Sequence, residues 1–118
     1  MRITEVAKRF SITTQTLRYW ERIGLLTNVK KDASGYRNYD DDNLEQLKFV
    51  TCMRNNGMSI AALQNYLALF KQGPATLGKR KKIIRDQIYN IDHQIDSLNE
   101  AKQMLSYKLE HYDELFGK

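Results

Sequence analysis

The sequence predicts a mainly all-α chain: a helical head over residues 1–73 that carries one short β wing, then a single long helix over residues 75–116. Three observations predict it. Apolar residues recur at intervals of three and four in short blocks before Pro74, the chain's only proline. Between two of these blocks lies a turn-rich basic stretch, Leu25 to Tyr39. Beyond Pro74 the intervals settle into one long alternation of three and four.

Each element follows from its residues. Ile3, Val6, Ala7 and Phe10 keep helical spacing, and Ser11 and Ile12 interrupt them. Thr13 is suited to cap a second helix, about Thr14 to Ile23, in which Leu17 and Trp20 face inward and which Gly24 closes. Lys30, Lys31, Asp32, Ser34 and Gly35 favour a hairpin with a basic flank. Asp40 can cap a third helix, with Asp41 and Asp42 complementing its dipole and Leu44, Leu47 and Val50 as its inward stripe. Asn55, Asn56 and Gly57 end it. Ser59 starts a fourth helix with Ile60, Leu63, Leu67 and Phe70 inward, and Gly73 and Pro74 stop it.

After Pro74 the register runs through Leu77, Ile84, Ile88, Ile91, Ile95, Leu98, Leu105, Leu109, Tyr112 and Phe116, interrupted only by Lys81 and Lys102. A helix over 75–116 would be about 63 Å long at about 1.5 Å per residue. Such a rod cannot bury its stripe within so small a monomer, so the heptads predict a coiled-coil homodimer with Ile84, Ile88, Ile91, Ile95, Leu98, Leu105 and Leu109 at its interface.

Charge is segregated. The net charge is +5, and residues 1–39 hold eight Lys/Arg against three Asp/Glu, whereas 40–72 hold three against four and 73–118 eight against seven. The excess therefore lies in the first third, which points to a polyanionic partner for the head. No long apolar run and no signal-peptide core are present, and one cysteine, Cys52, cannot form an internal disulfide. The expectation is a cytoplasmic protein with no membrane partner.

With Leu17 and Trp20 inward, Thr14, Gln15, Arg18 and Arg22 project from the other side of the second helix, with Tyr19 flanking them. Arg can fork onto guanine or phosphate and Gln can pair with adenine or phosphate, which is the chemistry of a helix that reads a DNA major groove. A merely solvated polar face is the alternative for this helix taken by itself.

Three motifs carry a family resemblance. Thr16-Leu17-Arg18-Tyr19-Trp20-Glu21-Arg22-Ile23-Gly24-Leu25-Leu26 resembles the second helix of MerR-family regulators, Gly35-Tyr36-Arg37-Asn38-Tyr39 their wing, and Arg54-Asn55-Asn56-Gly57-Met58-Ser59 the turn after their third helix. Ser11 stands where the family often has glycine, and would be strained if that turn needs a positive φ; Trp20 replaces the more usual tyrosine. The resemblance implies a winged helix-turn-helix head, DNA contacts by Arg18, Tyr19 and Arg37 with Tyr36 and Lys30 as further candidates, and a dimer that distorts double-stranded promoter DNA and so acts on RNA polymerase indirectly. For Tyr36 and Tyr39, packing of the wing onto the head is an equal alternative.

Metal-sensing relatives place cysteines at the start of the dimer helix, and Pro74 to Lys79 contains none; His93 and His111 are far apart, so no metal or other cofactor is expected. The chain ends at Lys118, soon after the last heptads, so no effector domain is expected either. Cys52 remains as a signal input. The resemblance to small single-cysteine MerR-like regulators implies a response to electrophiles, aldehydes or thiol stress, with Lys48 and Arg54 placed to favour a thiolate. A small core hydrophobe is the alternative. No nucleophile–base pair or phosphate loop suggests an enzyme. The rival to a regulator is a coiled-coil adaptor whose basic head has no specific DNA site.

Overall fold

The computed structural model describes residues 1–117 and divides into two compact units, Met1–Arg80 and the residues from Lys81 onward. Its elements in chain order are α1 (Ile3–Phe10), α2 (Thr14–Arg22), β1 (Lys30–Lys31), β2 (Arg37–Asn38), α3 (Asp41–Asn55), α4 (Ile60–Lys71), α5 (Leu77–Glu110) and α6 (Tyr112–Phe116), with a 3-10 turn at Pro74–Thr76.

The first unit is built around Val6, Leu17, Leu25, Leu26, Tyr39, Leu47, Val50 and Leu63, all fully buried. Removing each such side chain from water contributes about 1.5–3 kcal/mol, which is what holds helices this short in place. α1 packs on α2 and α3. Between α1 and α2 the chain turns through Ser11, which is left-handed at φ 55° and sends its N–H to the carbonyls of Ala7 and Lys8. Thr13 then caps α2, accepting the Thr16 N–H at 3.0 Å. The αL residue and the cap together set the abrupt change of direction that a helix-turn-helix needs.

Asp40 caps α3 within a reciprocal capping box: its side chain accepts the Asn43 N–H at 2.9 Å, and Asn43 Oδ1 accepts the Asp40 N–H at 3.0 Å. Asn43 also donates to Thr27 O at 2.9 Å, and Gln46 pairs with both the N–H and the hydroxyl of Thr27 at 3.1 and 3.0 Å. The segment that leads from α2 to the wing is thereby tied to α3. Ser59 caps α4 by accepting the Ala62 N–H at 3.0 Å.

Lys30 pairs with Asn38 and Lys31 with Arg37 in the antiparallel wing. Asp32 shapes its turn: Oδ1 accepts the N–H groups of Ser34 and Tyr36 at 2.9 and 3.0 Å, and Gly35 takes φ 83°. The first residues run alongside the wing, with Tyr39 N–H donating to Met1 O at 2.8 Å and Arg2 bridged to Asn38.

Four expectations are corrected. Asn43 rather than Leu44 occupies the buried position at the start of α3, and Leu44 is half-buried, because both ends of the carboxamide find partners there, Oδ1 accepting from Asp40 and Nδ2 donating to Thr27. Phe70 points outward, 58% exposed, with the Arg80 guanidinium 4.9 Å over its ring. The chain does not enter the long helix at Ala75: Thr76 is buried in a 3-10 turn, its hydroxyl donating to Leu69 O at 2.6 Å and receiving Arg80 Nε at 3.0 Å, so the first unit extends to Arg80. Finally, the helix is not continuous to Phe116. It breaks at His111, at φ −106° and ψ 15°, where Nδ1 meets Glu114 at 3.2 Å, and a short α6 follows.

The second unit consists of the rest of α5 and α6. α5 buries no residue. Ile84, Ile88, Ile95, Leu98, Leu105 and Leu109 are exposed and Ile91 is half-buried. Among the described residues, no helix is long and apolar enough to cross a membrane.

Candidate nucleic-acid interface

α2 sorts its residues by period. Leu17 and Trp20 enter the core, while Gln15, Arg18, Tyr19 and Arg22 are exposed and Thr14 is half-buried. The Arg22 guanidinium lies 5.2 Å over the Tyr19 ring, an arrangement that presents a cation and an aromatic edge together. α2 therefore offers a basic, hydrogen-bonding face held on a rigid hydrophobic base, as major-groove reading requires.

On the wing, Lys30 and Lys31 are exposed. Tyr36 is 59% exposed and lies under the Arg2 guanidinium at 4.6 Å, and Arg2 also meets Asp32 at 3.1 Å. The two wing tyrosines thus part ways: Tyr36 is on the surface, whereas Tyr39 is 1% exposed and belongs to the core. Burial pushes the Tyr39 phenol up from its usual value and Glu21 adds to this, with Arg37 and Arg18 opposing.

Arg37 is the predicted contact with the most altered setting. Its Nε lies 3.2 and 3.0 Å from the two Glu21 carboxylate oxygens and its Nη2 3.0 Å from one of them, so the guanidinium forks onto α2. Glu21 and Arg2, which pair with Arg37 and Asp32, are residues that the helical and turn patterns do not single out. The sequence marks Glu21 only as the one carboxylate among the residues of α2, and nothing local pairs it with Arg37.

Cys52 is exposed on α3, which removes the core-hydrophobe alternative. Its Sγ lies 3.9 Å from Asn56 Nδ2, and Arg54, expected beside the thiol, instead donates to Met58 O at 2.9 Å.

A family profile described as MerR HTH family regulatory protein matches residues 1–69, and one described as MerR, DNA binding matches residues 44–107. The HTH-type transcriptional regulator AdhR of Bacillus subtilis is 47% identical over 87 residues, 74% of this chain, and the match spans 62% of that regulator's length. A Listeria monocytogenes protein assigned to the MerR family superimposes with a TM-score of 0.86 at 35% identity, over 96% of this chain and 86% of that one. HiNmlR, a MerR-family regulator lacking the sensor domain and crystallised on promoter DNA, superimposes with a TM-score of 0.86 at 29% identity, over 99% and 94%. The helix-turn-helix built by Ser11 and Thr13, the wing behind it and the profile over residues 1–69 agree: this chain belongs to the MerR family of helix-turn-helix regulatory proteins.

Proposed function

We propose that the protein is a cytoplasmic, homodimeric, sequence-specific DNA-binding transcription regulator that distorts double-stranded promoter DNA and thereby acts on RNA polymerase indirectly. The observation that carries this is the face of α2, where Gln15, Arg18, Tyr19 and Arg22 stand exposed on a helix whose opposite side is locked in the core by Leu17 and Trp20. Arg18 and Gln15 read or brace the major groove, Thr14 and Arg22 flank them, and Lys30 and Tyr36 of the wing meet the backbone. The unpartnered stripe from Ile84 to Leu109 supports a dimer, which matches a pseudo-palindromic operator.

The test is a footprint on the gene's own upstream region at physiological salt. A regulator protects a pseudo-palindrome there, and Arg18→Ala abolishes the protection while the oligomeric state is unchanged. Weak binding that ignores sequence would instead favour an adaptor with a basic head.

The signal enters through Cys52 in this reading. An exposed thiol adds an electrophile or forms a mixed disulfide without the head having to open. In a promoter-reporter assay Cys52→Ser loses induction by methylglyoxal or formaldehyde, and unchanged induction would remove the thiol from the mechanism.

A further inference from the structure

The wing has only two paired residues on each strand, and a hairpin so short does not hold its own position. Its other side-chain and backbone ties run to Met1 and Arg2. Among the described residues, one side-chain link joins it to α2: the forked pair between Arg37 and Glu21, sixteen residues apart, with the side chains 29% and 26% exposed. Next to it, Tyr39 seats the end of β2 in the core. Glu21 itself is costly where it stands, because a carboxylate on a DNA-facing helix opposes the phosphates.

The geometry points to Glu21 as a positioning residue for DNA binding, which clamps Arg37 and so fixes the wing against α2 without touching the nucleic acid. This rests on reading α2 and the wing as one DNA surface. It also reverses the naive electrostatic expectation. If Glu21 were only a nearby negative charge, Glu21→Gln would free Arg37 for a phosphate and tighten binding. As a clamp, its loss lets the wing drift, and binding weakens.

Two measurements on the full chain decide. In the free protein, amide hydrogen exchange over residues 30–38 reads the clamp directly; Glu21→Gln and Arg37→Gln each speed it up. On the footprinted operator, titrated by fluorescence anisotropy, each variant binds more weakly by roughly tenfold or more, the scale of one charged hydrogen-bonded pair. The double variant is no worse than either alone, since both remove one interaction. The exchanged pair, Glu21→Arg with Arg37→Glu, recovers a large part of the affinity. Arg37→Lys keeps the charge but not the fork and stays weak. Unaltered exchange in the wing, binding by Glu21→Gln as tight as or tighter than wild type, or losses that multiply in the double variant would each overturn the clamp. Should a single variant unfold, the exchanged pair is compared with wild type alone, and its failure to restore binding counts against the proposal. A wild-type protein with no preference for its own upstream DNA would defeat the regulator reading, and the exchange measurement would still judge the clamp.

Discussion

At Tyr39 the core holds a hydroxyl that has no hydrogen-bond partner among the described residues, in a side chain 1% exposed. A buried polar group left unpaired costs free energy, while the ring around it contributes packing. Tyr39→Phe keeps the ring and removes the cost, so it should be neutral to stabilising by up to about 1 kcal/mol at neutral pH. The same residue links stability to pH. Burial first, then Glu21, raises the phenol above its ordinary value, so the folded state holds this proton more tightly than the unfolded chain does. The resulting stabilisation is complete below about pH 10, the unfolded value, and is lost as pH rises through the folded one. Urea melts at neutral and strongly alkaline pH should therefore show a smaller alkaline loss in the Phe variant than in wild type. A loss above about 1 kcal/mol at neutral pH would mean that the hydroxyl has a partner after all.

Elements were legible where their causes are local. Thr13, Asp40 and Ser59 can be picked out as caps because the N–H each one accepts lies three residues ahead. Ser11 is likewise legible as the residue of a strained turn, and φ 55° bears that out. Helical phase is local too: Cys52 is two residues beyond Val50, about 200° around the helix from a core position, and the thiol is outward. Other features have distant causes. Phe70 shares a phase with Leu63, yet it lies at the edge of the first unit with the Arg80 guanidinium over its ring, and periodicity says nothing about where a neighbour stops. Asn43 reads as polar, but its burial depends on Thr27, sixteen residues back. The break at His111 has no glycine or proline to announce it, and the apolar alternation runs straight through to Phe116. The Glu21–Arg37 fork is tertiary in the same sense, since neither residue predicts the other from its own helix or strand.

For the whole molecule, the balance turns on a helix that leaves its apolar stripe in water. Ile88, Ile95, Leu98, Leu105 and Leu109 are each about half or more exposed, and burying a side chain of this kind contributes about 1.5–3 kcal/mol. In the proposed dimer, a seam of several such residues from each of two chains is set against an association cost of about 4–15 kcal/mol, so the pairing depends on protein concentration. Thermal unfolding should then shift upward with protein concentration, because only the folded state is drawn into the dimer. Ile95→Asp places a carboxylate in the middle of the stripe, where pairing would strip its water. The variant should sediment as a monomer and unfold at a temperature independent of concentration. Its head, whose core of Leu17, Leu47 and Leu63 lies wholly within Met1–Arg80, keeps its own fold. Such a head retains one half-site's worth of contacts but loses the gain from tethering two, so affinity for a two-fold operator should fall by about a hundredfold or more while the footprint on a single half-site changes little. Sedimentation equilibrium of wild type decides the premise: a monomer at tens of micromolar would mean that the stripe is covered by something other than a second copy.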